Sequence, residues 1–166
     1  MSSLLPTTTF QHITPLLRPI IALNLWTFFM EAWMYQTRIP AINAATASGK
    51  LKTDPTMTTA SMNAAFPANV RWKADNYNHL LEQPQQFYAV VGVLVAVELA
   101  KAGSVGGGGA EVDWVQVQLA WAYVGLRIVH SVVQAATNII RVRFSLFALS
   151  SLVLLGMTVR AALAVF

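Results

Sequence analysis

Two groups of polar residues sit where the rest of the chain is apolar. Residues 71–84, RWKADNYNHLLEQP, hold two cations, two carboxylates, two asparagines and a histidine, shortly before the run FYAVVGVLVAV. On a helix, Arg71, Asp75, Asn78 and Glu82 share one face, at i, i+4, i+7 and i+11. Further along, Arg127, Ser131, Gln134, Asn138 and Arg141 step by 4, 3, 4 and 3, with His130 beside them. The first stripe is mixed and carries two acids; the second is cationic. Ionisable groups at membrane depth each cost about 2.5 kcal/mol or more, so they pair or line a wet cavity. The economical arrangement points the stripes at each other, or at a neighbouring subunit. The pocket between them would suit a small zwitterionic or anionic ligand beside a lipid-facing groove. A structural network, in which Asp75 and Glu82 neutralise Arg127 and Arg141, is the alternative. It needs two or three groups, and the two stripes hold nine.

Composition sets the surroundings of those stripes. Of 166 residues, 55% are hydrophobic and 11% charged, against about 25% charged in soluble domains. Mean hydropathy is +0.52. These values predict an integral membrane protein with one domain over residues 1–166. There is no cysteine, so disulfides, thiolate metal sites and a protein-borne thiol nucleophile are excluded. Three scattered histidines, His12, His79 and His130, predict no metal centre. A net charge of +4 without a basic cluster predicts no nucleic-acid partner. The N-terminus has no charged n-region and reads as no removed signal peptide.

Four apolar segments would carry the stripes, giving an all-α, four-helix membrane bundle with helices at about 15–36, 68–102, 113–140 and 143–166. The second is apolar for only about its last half, so its polar first turns project from the bilayer. Thr14-Pro15 suits the start of the first helix. Loop one, about residues 37–67, reads as mobile. Gly106–Gly109 in loop two lacks the Gly-Lys-Ser/Thr ending of a phosphate cradle and reads as a linker. Loop three is tight and holds Arg141 and Arg143. Trp26, Trp33, Trp72, Trp114 and Trp121 suit interfacial anchoring. His79 lies off the stripe and reads as an interfacial histidine. Glu31, costly in the first helix, would pair across helices or carry a proton.

These residues resemble the MAPEG family, the membrane-associated proteins of eicosanoid and glutathione metabolism. The resemblance covers nearly the whole chain. Its anchors are Arg38-Ile-Pro-Ala after the first helix, Arg71 with Asn78-His-Leu-Leu-Glu82-Gln-Pro84, and Arg127-Ile-Val-His130-Ser-Val-Val-Gln134 followed by Arg141-Val-Arg143-Phe. It implies a four-helix membrane protein, a homotrimer, with glutathione bound between subunits as co-substrate. Arg38, Arg71, Asn78, Glu82, Arg127, His130 and Gln134 would bind glutathione. Arg141, with Arg143 as alternative, would hold its thiolate. The chain departs from the family pattern in three places. Asn78 and Glu82 are four apart rather than three. Arg71 stands further from Asn78, leaving Lys73 as another match. Gln134 stands where many members carry tyrosine, and glutamine cannot act as a phenol. The sequence is most similar to the branch with an Asp-Asn-Tyr-Asn-His core, here Asp75–His79.

The resemblance implies a glutathione transferase or peroxidase acting on lipophilic electrophiles in the endoplasmic reticulum or a bacterial inner membrane. The alternatives are a non-catalytic lipid-binding relative and a small transporter using Glu31 as its proton-coupled carboxylate. Mutation of Glu31 against Arg141 separates the transporter from the transferase. Loops one and three hold most of the lysine and arginine, so the positive-inside rule makes them cytoplasmic and puts both termini on the other side. In sealed vesicles, cytosolic protease should therefore cut near Asp54 and spare a tag at either terminus. Cleavage of both tags from the cytosolic side would reverse the orientation.

Overall fold

The computed structural model describes residues 7–104 and 112–166, so Gly106–Gly109 lie outside the described residues. Its elements, all helical, are α1 (Thr7–Ala47), α2 (Thr59–Ala65), α3 (Ala68–Glu82), α4 (Pro84–Ser104), α5 (Trp114–Ala136) and α6 (Ile140–Val165). Gln83 keeps helical dihedrals between α3 and α4, which run as one rod over Ala68–Gly103. Counting that rod once leaves five helices, because α2 joins the four expected. α5 packs against α6, α3 and α1, and α1 and α6 each also pack against α4.

Each long helix contributes a seam to one core. Leu16 and Leu23 come from α1, and Phe87, Val91 and Leu94 from α4. Val117, Ala120 and Val124 come from α5, and Leu154, Met157 and Ala161 from α6. The steps of three, four and seven keep each set on one face. Phe87 stacks on Tyr123 at 4.6 Å between centroids. The opposite faces carry Phe28, Phe144, Leu152, Leu155 and Leu163, all more than half exposed. So much exposed apolar surface is a liability in water and suits a lipid contact. α1, the α3–α4 rod and α6 are long and apolar enough to cross a membrane. α5 was expected to qualify by its apolar run and is not among them, because its polar residues lower its hydropathy. Its 23 residues still span about 35 Å, beyond the roughly 30 Å hydrocarbon core.

Loop one is not the loop that its composition suggested. α1 continues through residues 37–47, where Ala41, Ala44, Ala45 and Ala47 are strong helix formers. α2 follows, opened by a capping box between Thr58 and Ser61. Buried Ala45, Leu51, Phe66 and Val70 form a small cluster that ties this region to the start of α3. The serines and threonines that made the stretch look mobile hid that apolar periodicity.

Asp113 starts α5. Its Oδ1 accepts from the amides of Val115 (3.0 Å) and Gln116 (3.4 Å), and its Oδ2 accepts from Arg160 at 2.6 Å. Burial pushes the carboxyl up, but the Arg160 guanidinium and the two capping amides outweigh it and hold it below the usual range. A depressed carboxyl pKa stabilises the fold above the unfolded-state value, and the effect is lost as pH falls through the folded-state value. Asp113→Ala should lower stability by about 1 kcal/mol, the usual worth of a cap. In thermal melts the advantage of wild type over Asp113→Asn should shrink towards acid pH. A difference that grows on acidification would reject this role.

Candidate functional site

The bundle interior is not purely apolar near the C-terminal half of α5. Arg127 is fully buried, His130 is 2% exposed, Ser131 is buried and Gln134 is 1% exposed. These residues sit at i, i+3, i+4 and i+7 and therefore share a face. That face meets α3. Arg127 donates one guanidinium nitrogen to Gln83 Oε1 (3.0 Å) and the other to the His79 carbonyl (2.9 Å). Asn76 Nδ2 donates to Ser131 Oγ at 2.7 Å. The Gln83 amide then reaches Ser151 Oγ on α6 at 2.6 Å. A buried polar chain thus links three helices.

Proline helps to open it. Pro84 cannot donate an N–H, and its ring crowds the carbonyl four residues back. The loosened turn leaves the neighbouring His79 carbonyl within reach of Arg127. Phe147 of α6 closes the other side. Its ring lies 6.2 Å from His130, 6.5 Å from His79 and 5.9 Å from the Arg127 guanidinium carbon. His79 and His130 are 6.1 Å apart, centroid to centroid.

Beside this cluster is a cleft of about 260 Å³ lined by His79, His130, Gln134, Arg143, Phe144 and Phe147, with Ile140 at its edge. Arg143 is positioned by the turn before α6. Asn138 takes the left-handed conformation at φ 51°, and its amide, like that of Thr137, returns to the Val133 carbonyl and ends α5. Its side-chain oxygen then accepts from Arg143 at 2.7 Å. One asparagine both stops a helix and aims a cation.

The site's hydrogen bonds are incomplete. Arg127 Nε, His130 Nδ1 and both polar atoms of Gln134 are buried with no protein partner, as is Asn76 Oδ1. Buried polar groups are satisfied in the great majority of cases, and each exception calls for an occupant or a role. The ion pairs among the described residues are His12–Glu98, Lys101–Glu98 and Arg160–Asp113. None reaches Arg127 or Arg143. The cleft therefore joins one cation, Arg143, and the unmet atoms of His130 and Gln134 to a largely apolar wall, a chemistry that suits an anionic group bearing donors and acceptors beside an apolar one.

Of the residues singled out from the sequence, Arg127, His130, Gln134 and Arg143 come together here. Arg71, Asn78 and Glu82 do not: with Asp75 they lie exposed along the outer face of α3. The two stripes thus do not face each other within one chain. α5 turns its stripe inward against the opposite face of α3, while the α3 stripe looks outward. Arg141 is exposed and does not line the cleft. Arg38 donates to Met62 Sδ at 3.5 Å and lies over Phe66, tying α1 to α2. Lys73 is buried over the Trp33 ring and donates to the Asn69 carbonyl. Glu31 lies beside the Tyr77 side chain.

His79, Asn76 and Gln83 were not read as site residues. The signal was available, since Asn76, His79 and Gln83 stand at i, i+3 and i+7, a second polar face on the same helix. The charged stripe on the other side of the helix masks it.

Comparison with known proteins gives one match. A model of the MAPEG family matches residues 16–163. No curated protein and no solved structure matches the chain.

The Arg127 fork is testable by itself. Arg127→Lys keeps the charge but cannot serve Gln83 Oε1 and the His79 carbonyl with one planar group. It should lower stability in detergent by about 1–3 kcal/mol, the usual cost of a stranded buried polar group. Unfolding indistinguishable from wild type would show that the fork carries no weight.

Proposed function

The chain belongs to the MAPEG family, and on that premise we propose that it is a glutathione-dependent membrane enzyme, a transferase or peroxidase acting on lipophilic electrophiles. The supporting observation is the set of buried, unpartnered polar atoms on Arg127, His130 and Gln134 beside a cleft that also holds Arg143. Glutathione, as co-substrate, brings two carboxylates, an ammonium, two amides and a thiol. Those groups match a cleft that holds Arg143 and the unmet atoms of His130 and Gln134. The chain has no cysteine, so the sulfur would have to come from the ligand.

Arg143 is the better placed of the two candidate arginines. A cation beside a thiol favours the thiolate, and the thiolate is the nucleophile. In the transferase reaction the thiol proton leaves to water at the cytosolic mouth. The sulfur then forms a bond to the electrophilic carbon, and the leaving group departs with its electron pair. Phe144 and Phe147 give the lipophilic partner an apolar wall. The exposed α3 stripe supports a homotrimer in which Arg71, Asn78 and Glu82 of one copy face the cleft of the next.

Glutathione titrated into detergent-purified protein should show binding, and the ultraviolet thiolate band should appear at neutral pH. Arg143→Ala should raise the pH needed for that band, by roughly one unit for each 1.4 kcal/mol of lost interaction. Arg141→Ala should do so less. Glu82→Gln should weaken binding first, and mass measurement in mild detergent should give three copies. Absence of both binding and the band in wild type would sink the enzyme reading and favour a lipid-binding member of the family.

A further inference from the structure

The opposite end of the bundle holds a second polar cleft that the proposed glutathione site does not use. Its volume is about 260 Å³, and it is walled by Glu98, Lys101, Asp113, Gln116 and Arg160, with Leu94, Val97 and Leu163 on its apolar side. Glu98 is 4% exposed. One of its oxygens meets His12 Nε2 at 3.1 Å and the other Lys101 Nζ at 2.8 Å. Arg160 pairs with Asp113 across the rim at 2.6 Å. Two acids thus face two permanent cations. Such balance favours neither a simple anion nor a simple cation, but it is complementary to a zwitterion.

Gln116 adds a stricter requirement. The residue is 3% exposed, and its Oε1 is buried with no partner while it lines the cleft. An unpartnered buried acceptor calls for a donor. An ammonium with N–H groups would satisfy it; a trimethylated ammonium has no N–H to give. The position of the cleft supplies the rest. Lys101 stands in the last turn of α4, Asp113 is the cap that opens α5, and Arg160 is in the last two turns of α6. The charges therefore gather at one end of the bundle, where long basic side chains extend to the headgroups, with the leucine and valine wall running towards the acyl chains.

We propose that this cleft binds the headgroup of a bilayer phospholipid with a primary ammonium, of the phosphoethanolamine type. Arg160 and Lys101 take the phosphate. Gln116 Oε1 and the Glu98 and Asp113 carboxylates take the ammonium. The first acyl carbons lie along Leu94, Val97 and Leu163.

Native mass spectrometry of the full chain tests this, after release from nanodiscs holding equal amounts of phosphatidylethanolamine and phosphatidylcholine with identical acyl chains. Wild type should retain the ethanolamine lipid in preference, by on the order of tenfold, as a hydrogen bond to a charged group implies. Gln116→Leu, close in volume, and separately Arg160→Gln should bring the ratio towards one. Equal retention by wild type overturns the proposal whatever the variants do, and so does a preference that survives in a folded Gln116→Leu. Soluble phosphoethanolamine should compete weakly. Competition as strong as the lipid's would make the ligand a free solute and reject the bilayer source. Glutathione binding, read in parallel, should be unchanged in either variant.

Discussion

A guanidinium held entirely out of solvent organises this bundle. Arg127 is always charged, and the described residues offer it no carboxylate at ion-pair distance. Its burial is tolerable only because two acceptors on the α3–α4 rod meet it at hydrogen-bond distance, with the Phe147 ring beside it. Everything around it answers to that need. Gln83 must sit at the junction of α3 and α4, and its own amide must then find Ser151. α5 must present its polar face inward, which costs it the hydropathy of its neighbours. The same commitment leaves Nε of Arg127 and the adjacent His130 and Gln134 atoms with nothing to bond inside one chain.

Those unmet bonds explain how a small membrane bundle keeps a site open. An apolar core would close by collapse, because lipid-facing helices gain from packing wherever side chains fit. A core with orphaned donors and acceptors gains little by closing on itself. Its free energy improves when something polar enters. The exposed α3 stripe adds the complementary half of the problem: Asp75 and Glu82 are exposed, and neither forms an ion pair among the described residues. A neighbouring copy would bring carboxylates and cations together without changing either helix.

Much of this was legible in the sequence. The composition and the apolar segments point to an all-α membrane protein, and the 127–134 spacing picks out a polar face that is indeed buried. The residues that form the site with it were harder to see. A helix with polar groups on two sides gives one periodicity for charges and another for Asn76, His79 and Gln83, and charge alone does not say which side turns inward. Burial decided it, since the enclosed side carries one charge, Lys73, and costs less to desolvate than a side bearing Arg71, Asp75 and Glu82. The extension of α1 and the existence of α2 were hidden for another reason. Ser, Thr and Ala in residues 41–65 weaken the hydropathy signal, while Ala45, Leu51, Phe66 and Val70 still suffice for a local core.

The proline between α3 and α4 shows why these features belong together. Inside a bilayer, a helix break strands backbone groups, and each stranded group costs several kcal/mol. Pro84 removes the amide that would have bonded the Leu80 carbonyl, next to His79, although the helical path itself continues. In an apolar bundle that would be a defect requiring repair by water. Here the repair comes from Arg127, itself in need of acceptors, and each liability answers the other. Replacing either one alone would leave the second exposed. The pairing also fixes where the site can be: the cation must lie level with the break, so the polar face of α5 is registered against α3 within about a turn. Arg143 enters the same space only because Asn138 ends α5 shortly beyond Gln134 and turns the chain back. The position of the cleft therefore follows from a missing helical hydrogen bond at Pro84 and a chain reversal at Asn138, with Arg127 between them.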